Sequence, residues 1–263
     1  MSNSTNNETV LEVKGVSKRF GGLQALSDVG ITIRKGQVYG LIGPNGAGKT
    51  TFFNVITGLY TPDGGTFQLG GAPYTPTAVH EVAAAGIART FQNIRLFPEM
   101  TALENVMVGR HVRTSSGLIG AIFRTPGFKA EEAAIARRAQ ELLDYVGIGK
   151  YAEFKARTLS YGDQRRLEIA RALATDPKLI ALDEPAAGMN ATEKVVLREL
   201  IDRIRKDGRT ILIIEHDVKL MMGLCDRLTV LDYGKQIAEG TAAEVQRNEK
   251  VIEAYLGSGH KAH

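Results

Sequence analysis

Residues 43–50 read Gly-Pro-Asn-Gly-Ala-Gly-Lys-Thr, with two glycines, a lysine and a hydroxyl residue at the spacing of a phosphate-binding loop. The glycines allow several backbone N–H groups to point at one anion. A helix predicted after the loop adds partial positive charge there. We predict that Lys49 reaches the β- and γ-phosphates of a nucleotide and that the Thr50 hydroxyl binds Mg²⁺. A glycine-rich turn with a chance lysine is the alternative, at roughly one match per hundred chains of this length.

Two carboxylates and a histidine follow two apolar runs further along the chain. Asp183 and Glu184 come directly after the run 179–182, and His216 comes shortly after the run 210–214. Ligands bind at the C-terminal ends of strands in open α/β sheets. We predict that Asp183 holds Mg²⁺ directly or through water, that Glu184 is a general base, and that His216 contacts a γ-phosphate. A solvated acidic turn and a structural histidine are the alternatives.

Four further residues are weaker candidates. Phe20 precedes the loop and has the ring needed to stack on a nucleobase, although a core phenylalanine is a serious competitor. Gln92 has an amide oxygen that suits a Mg²⁺ shell or a water, whereas most glutamines are simply solvated. Ser160 and Gly162 lie at a predicted helix start, which suits an anion such as a γ-phosphate. The alternative for that pair is a helix N-cap and a turn.

These residues need strands to position them. The apolar runs 38–42, 179–182 and 210–214 predict buried strands of a parallel sheet that is covered on both faces. Alternating patterns predict further strands at 10–16, 29–34 and 66–69, and a hairpin of 228–231 with 235–238. Residues 18–22, which include Phe20, are predicted to form a turn. The chain is therefore an α/β protein whose first part is mostly antiparallel strands around one strand–loop–helix unit.

Helices dominate the middle of the sequence, from about residue 77 to residue 151. Thr101 and Glu104 form a capping-box pattern at the start of one of them. The other predicted helices follow the phosphate loop or span 79–85, 130–146, 163–174, 192–206, 218–225 and 241–256. The stretch 105–130 contains basic and apolar residues and no acidic one. We predict that it lies near a membrane or a membrane protein, and a solvated loop is the alternative.

Composition sets broad limits on the class of protein. The chain has 263 residues, 43% of them apolar, which suffices for one large domain or two small ones. A net charge of +4 is only weak evidence for a nucleic-acid partner. A single cysteine, Cys225, fits a reducing cytoplasm. Neither a signal peptide nor an apolar run of about 18 residues is present, so we expect any membrane spans to come from other chains.

The order of the motifs resembles the nucleotide-binding domain of ABC transporters over about residues 10–256. The motifs that carry this resemblance are Phe20, the loop 43–50, Gln92, the run Leu-Ser-Tyr-Gly-Asp-Gln at 159–164, Leu-Asp-Glu-Pro at 182–185, and His216. The resemblance implies a RecA-like P-loop core with an antiparallel β-subdomain and a helical subdomain at about 77–160. The remaining residues, 1–9 and 257–263, are expected to be a disordered lead and a flexible tail.

The resemblance also implies roles. Phe20 would stack on adenine, Glu184 would be the catalytic base, His216 the switch histidine, and Gln92 the link between the γ-phosphate site and a permease. ATP and Mg²⁺ would be the ligands. The residues expected to hold the nucleotide within one chain are Phe20, Asn45, Gly46, Ala47, Gly48, Lys49, Thr50 and Thr51, and those expected to hold the metal are Thr50, Gln92 and Asp183.

Ser160 and Gly162 would cap the γ-phosphate of ATP in an opposite subunit, so that two cassettes work head to tail. The implied partners are a second ATPase subunit, identical or different, two transmembrane permease subunits and, indirectly, a periplasmic-type solute-binding protein, without nucleic acid. The expected location is peripheral, at the cytoplasmic face of the inner membrane. Three residues depart from the family pattern: Tyr161, Asp163 and Asn190.

Finer details resemble the ATPase subunits of branched-chain amino acid importers. These details are the run 161–171, the segments 185–188 and 215–223, the ending Val-Ile-Glu-Ala-Tyr-Leu-Gly at 251–257, and the basic-apolar insertion 109–129. A urea or amide importer and the ATPase of lipopolysaccharide export are alternatives within the family. A soluble ABC ATPase of translation or repair is an alternative from another class, as is a GTPase or kinase. The chain lacks the tandem cassettes of the former and the Asn-Lys-x-Asp run of a GTPase.

Overall fold

The structure is a computed structural model that describes residues 8–111 and 126–257. Most of the predicted lead at 1–9 and tail at 257–263, and much of the basic stretch 105–130, lie outside the described residues. The strands are β1 Thr9–Phe20, β2 Leu23–Arg34, β3 Val38–Ile42, β4 Gly64–Leu69, β5 Ala72–Pro73, β6 Ile87–Arg89, β7 Leu179–Asp183, β8 Thr210–Ile214, β9 Arg227–Asp232 and β10 Lys235–Gly240. The described helices are α1 Lys49–Ile56, α2 Val79–Ala85, α3 Ala102–His111, α4 Pro126–Tyr145, α5 Tyr161–Ala174, α6 Ala191–Lys206, α7 Val218–Leu224, α8 Ala242–Gln246 and α9 Glu249–Gly257.

The described chain divides into two compact units. The first contains the residues up to Arg89, Lys178–Ala186 and the residues from Arg198 onward. The second contains Thr90–Pro177 and Ala187–Leu197. Helix α2 belongs to the first unit because Val82 is buried in the same core as β3 and α1. The second unit begins at Thr90.

A six-stranded sheet carries the first unit, in the order β10-β9-β3-β8-β7-β6. All its pairings are parallel except the hairpin of β9 with β10. Strands β3, β7 and β8 are buried at every position, as their uninterrupted apolar runs predicted. Because β3, β7 and β8 are parallel neighbours, the chain that leaves each of them emerges at the same edge of the sheet.

A second sheet of four antiparallel strands has the order β2-β1-β4-β5. Strands β1 and β2 are longer than the sequence predicted, since Phe20 pairs with Leu23 and only the two glycines between them form the turn. The prediction of a turn over 18–22 was wrong. The pairing of β1 with β2 shifts register between Val13 and Val16, which interrupts the alternation of inward and outward side chains that predicts the strand. Phe20 is thus the last residue of a strand.

The predicted final helix 241–256 is two helices. Thr241 and Glu244 form a capping box that starts α8. The side chain of Asn248 then accepts hydrogen bonds from the backbone N–H groups of Lys250 and Val251, at 3.0 and 3.4 Å, and starts α9. An asparagine at this position competes with the helical backbone for its hydrogen bonds.

Helices α3, α4 and α5 pack on one another in the second unit. The capping box at the start of α3 is confirmed: the Thr101 N–H donates to Glu104 at 2.8 Å, and the Glu104 N–H donates to the Thr101 hydroxyl at 3.1 Å. Gly109 allows α3 to approach α5, because a Cβ there would lie 2.4 Å from the Arg171 carbonyl oxygen. Within residues 8–111 and 126–257, none of the helices combines the length and apolarity needed to cross a bilayer.

Candidate functional site

The loop 43–50 joins β3 to α1 in a conformation that requires glycine. Gly43, Gly46 and Gly48 have φ values of 153°, 79° and 96°. A Cβ on Gly43 would lie 2.1 Å from the Leu231 carbonyl oxygen, and one on Gly48 would lie 2.9 Å from that of Ala25. Gly48 is also the N-cap of α1, and a glycine has no side chain to occupy the helix N-terminus. The loop therefore exposes backbone N–H groups to an anion.

Lys49 completes this cradle. Its side chain is buried, and its Nζ donates hydrogen bonds to the carbonyl oxygens of Gly43 and Pro44 at 2.7 and 2.8 Å. Burial lowers the pKa of the Lys49 ammonium, and the nearby Glu184 carboxylate opposes that shift. A partly desolvated cation beside converging N–H groups is stabilised by a bound anion. The loop thus has the charge and the geometry that a phosphate needs.

A cleft of about 590 Å³ lies over the loop, within the size range of small-molecule sites. Ten of the residues predicted as site residues line it: Phe20, Asn45, Gly46, Ala47, Gly48, Lys49, Thr50, Thr51, Glu184 and His216. Five residues that sequence analysis did not single out line it as well: Leu23, Gln24, Ala25, Tyr233 and Gly234. The first unit alone therefore brings the predicted phosphate, aromatic and acid–base groups into one cavity.

Phe20 is not a core residue, since 41% of it is exposed. Its ring meets Tyr60 edge to face, with the ring centres 5.2 Å apart, and the Lys18 ammonium lies 5.4 Å from the centre of the Phe20 ring.

Tyr233 is 79% exposed at the turn between β9 and β10 and has a φ of 43°. The signal that could have found it is an aromatic residue in a two-residue hairpin turn, where packing does not require one.

Asp183 does not line the cleft. It is buried at the end of β7, where its carboxylate accepts a hydrogen bond from Arg89 Nη2 at 2.7 Å. Arg89 Nη1 donates to the Thr57 hydroxyl at 2.6 Å, and the guanidinium lies 4.8 Å from the centre of the Phe53 ring. Arg89 was not predicted as a site residue, because a lone arginine at the end of a short strand is usually exposed.

Glu184 and His216 lie together in the cleft. Glu184 has a φ of 44°, a strained conformation for a residue other than glycine, and its N–H donates to the Ile214 carbonyl at 2.9 Å. Its carboxylate lies 3.6 Å from His216 Nδ1. Glu215 is buried behind them and accepts hydrogen bonds from the N–H groups of Ala186 and His216. This acceptor orders the backbone around Glu184 and His216.

Ser160 and Gly162 line a separate pocket of about 230 Å³ in the second unit. Ser160 is the N-cap of α5, as its predicted alternative role implied: the Asp163 N–H donates to its hydroxyl at 3.2 Å. The hydroxyl in turn donates to the Asp163 carboxylate at 2.8 Å, and Arg166 pairs with that carboxylate. Gln92 also belongs to the second unit, where its side chain is exposed.

Asn190, which departs from the family pattern, starts α6. Its side-chain oxygen accepts from the Glu193 N–H at 3.0 Å, and its own N–H donates to the Glu193 carboxylate at 2.9 Å. We expect Asn190→Ala to lower the free energy of unfolding by about 1 kcal/mol, because it removes this N-cap. Asn190→Asp is the matched control and should keep the stability within a few tenths of a kcal/mol. Equal denaturation midpoints for all three proteins would contradict this assignment.

The parallel sheet, the glycine loop that follows β3 and the cleft over that loop define a P-loop nucleotide-binding protein. The chain belongs to the ABC transporter family, whose profile matches residues 26–187. A profile described as the branched-chain amino acid ATP-binding cassette transporter matches residues 235–261. The predicted family and the predicted P-loop fold, with its β and helical parts, are confirmed.

Known relatives are similar over nearly their whole length. The chain is 45% identical to the high-affinity branched-chain amino acid transport ATP-binding protein BraF of Pseudomonas aeruginosa, over 94% of this chain and 98% of that protein. It is 44% identical to the protein of the same description, LivG, of Escherichia coli K12, over 95% of this chain and 98% of LivG.

Solved structures agree with this result. The ADP conformation of MJ1267, an ATP-binding cassette of an ABC transporter, is 34% identical with a TM-score of 0.82, over 95% of this chain and 99% of that one. A dimeric post-hydrolysis state of the cassette MJ0796, bound to ADP and Pi, is 26% identical with a TM-score of 0.73, over 88% and 98%.

Proposed function

We propose that this chain is the ATP-binding subunit of an importer that takes up branched-chain or other hydrophobic amino acids. The observation that carries the proposal is its 44–45% identity, over 94–95% of the chain, to proteins described as high-affinity branched-chain amino acid transport ATP-binding proteins. The match of residues 235–261 to the branched-chain cassette profile supports it independently, because that match lies outside the catalytic motifs.

ATP binds in the cleft of the first unit. Phe20 stacks on the adenine ring with the face that its partial exposure leaves accessible, and the N–H groups of the loop hold the phosphates. Lys49 exchanges its loop carbonyls for the β- and γ-phosphates, which relieves the cost of its burial. The hydroxyl, carboxylate and amide oxygens of Thr50, Asp183 and Gln92 suit Mg²⁺, which prefers oxygen ligands. When bound, the metal would neutralise part of the phosphate charge.

Glu184 accepts the proton of the attacking water. As the water oxygen forms its bond to the γ-phosphorus, the bond to the leaving oxygen of ADP breaks, so the products are ADP and inorganic phosphate. His216, whose Nδ1 lies beside the Glu184 carboxylate, holds that carboxylate and contacts the γ-phosphate. Because the Asp183 carboxylate accepts a hydrogen bond from Arg89, we propose that it would contact the metal through a water molecule.

Two cassettes share each ATP. Ser160 and Gly162 of one subunit close the γ-phosphate of ATP on the loop of the other, and the second subunit is either a copy of this chain or a related ATPase. The dimeric form of the cassette MJ0796 supports this arrangement. ATP binding closes the pair of cassettes and ATP hydrolysis reopens it. Two transmembrane permease subunits change conformation with the cassettes. A solute-binding protein delivers the amino acid, and the chain acts peripherally at the cytoplasmic face of the membrane.

Capture from solubilised membranes followed by reconstitution tests this proposal. We expect the tagged chain to recover hydrophobic permease subunits, and the reconstituted complex to take up radiolabelled leucine only with ATP inside the vesicles. Urea and lipopolysaccharide serve as competing substrates, and Glu184→Gln is the control for the dependence on hydrolysis. Transport of either competitor without leucine uptake, or recovery of ribosomes or DNA instead of permease subunits, would refute it.

A further inference from the structure

Arg165 is the largest side chain that the described part of the chain buries almost completely, with 2% of its surface exposed. It lies on the second turn of α5, shortly after the signature-like run at 159–164. Burying a guanidinium costs several kcal/mol unless hydrogen bonds and an opposite charge compensate for the lost water. The groups that contact the Arg165 guanidinium must therefore compensate for its burial.

The guanidinium holds two successive backbone carbonyls. Arg165 Nη1 donates to the Phe91 carbonyl oxygen at 2.5 Å, and Nη2 donates to the carbonyl oxygen of Gln92. The side chain of Gln92 is exposed, whereas its backbone is held from the interior of the unit. The position of the Gln92 amide group is therefore set through a backbone that Arg165 anchors.

Glu168 completes the clamp from the same helix. Its carboxylate lies 3.2 Å from Arg165 Nη1 and accepts the Phe91 N–H at 3.2 Å. Both polar groups of residue 91 are thus bound by α5. Burial raises the pKa of the Glu168 carboxyl, and the Phe91 N–H and the charge of Arg165 oppose that shift. Residues 91 and 92 therefore supply three of the hydrogen bonds that compensate the buried pair.

Tyr161 gives Arg165 a second anchor. The Nη2 group of Arg165 lies 3.1 Å from the Tyr161 hydroxyl, and the guanidinium lies 5.5 Å from the centre of the tyrosine ring. The ring also lies close to Gly188, where a Cβ would be 3.4 Å from it. The usual glycine of the family pattern would make neither contact. The tyrosine therefore links Arg165 to the segment that follows Asp183 and Glu184.

We propose that Arg165 is a positioning residue that fixes the backbone of Gln92 against the N-terminal part of α5, with the Tyr161 hydroxyl as its second anchor. This inference rests on the proposed function, in which the amide of Gln92 acts at the metal and the γ-phosphate. The fork of an arginine spans two neighbouring carbonyls, and the single ammonium of a lysine does not. The arrangement holds Gln92 ready for turnover without contributing to nucleotide binding on the loop.

Steady-state ATP hydrolysis of four variants tests the inference. We expect Arg165→Lys to lower kcat at least about tenfold while KM for ATP stays within about twofold, because hydrogen bonds to a charged group are lost away from the loop. Gln92→Ala should lower kcat similarly. The double variant Arg165→Lys/Gln92→Ala should be no slower than Gln92→Ala alone. Arg138→Lys, in an exposed i, i+3 pair with Glu141, is the matched control and should behave as wild type.

The outcomes separate the possible failures. Wild-type kcat in Arg165→Lys, or a double variant whose loss is the product of the two single losses, would overturn the positioning role while leaving the proposed function intact. Wild-type kcat in Gln92→Ala would overturn the role of Gln92 and the inference together. If Arg165→Lys does not fold, the variant Tyr161→Phe tests the positioning role instead. We expect it to lower kcat about threefold in the wild-type background and not at all in Gln92→Ala, and any other result overturns the inference.

Discussion

Glu184→Gln is expected to bind ATP as tightly as the wild type and to lower kcat by about 10²- to 10⁴-fold. Glutamine keeps the shape of the side chain, so the contact region with His216 and the backbone at a φ of 44° are preserved. Its amide cannot accept the proton of the attacking water. The loss therefore falls on the chemical step, and the backbone N–H groups of the phosphate loop remain in place.

Two measurements check this expectation. Equilibrium titration with a fluorescent ATP analogue reports binding, and phosphate release at saturating ATP reports turnover. Glu199→Gln, an exposed carboxylate on α6, is the matched control and should retain full activity. Turnover near the wild-type rate in Glu184→Gln would remove Glu184 from the role of base. A loss of binding in proportion to the loss of turnover would mean that its charge acts on the bound nucleotide instead.

Arg89→Met is expected to lower the free energy of unfolding by about 3–5 kcal/mol. Arg89 and Asp183 are both buried, with side-chain exposures of 8% and 6%, and are joined at 2.7 Å. Methionine fills much of the space beside the Phe53 ring but leaves the Asp183 charge in the interior without the Arg89 guanidinium. An uncompensated buried charge accounts for most of the expected loss.

The matched control is Arg110→Met, which breaks an ion pair with Asp176 on the surface of the second unit. The side chains of that pair are 31% and 41% exposed, so we expect a change of about 0–1 kcal/mol. The double variant Arg89→Met/Asp183→Asn should recover most of the stability, because the buried charge is gone. Equal losses for the buried and the exposed pair, measured by denaturant unfolding at neutral pH, would contradict this account.

Much of the candidate site could be predicted from local sequence. The glycines of the loop 43–50, Lys49 and the carboxylates after β7 are read from spacing, because the backbone conformation and the chemistry are both properties of short segments. The strands β3, β7 and β8 are equally local, since a short apolar run bounded by turn residues is typical of a covered strand. The boundaries of α2 and β8 were predicted to the residue.

Elements that depend on a side chain outside the pattern were harder to predict. The break between α8 and α9 is made by one asparagine, whose hydrogen bonds compete with a helical pattern that otherwise continues. Strand β1 continues to Phe20 because it pairs with β2 past irregular register positions, and the alternation within one strand does not reveal its pairing.

By itself, the sequence determined the family of the protein and predicted the phosphate loop and the acid–base residues, since each depends on a short motif whose residues are close along the chain. The tertiary structure alone decided which charges are buried and what they hold. Arg89 meets Asp183 across 94 residues of sequence, and Arg165 meets Gln92 across 73. Pairs at such separations leave no periodic signal, because the fold, and not the spacing, brings them together. The phosphate loop can therefore be predicted from the sequence, whereas the contacts of Arg165 with the backbone of Gln92 are seen only in the tertiary structure.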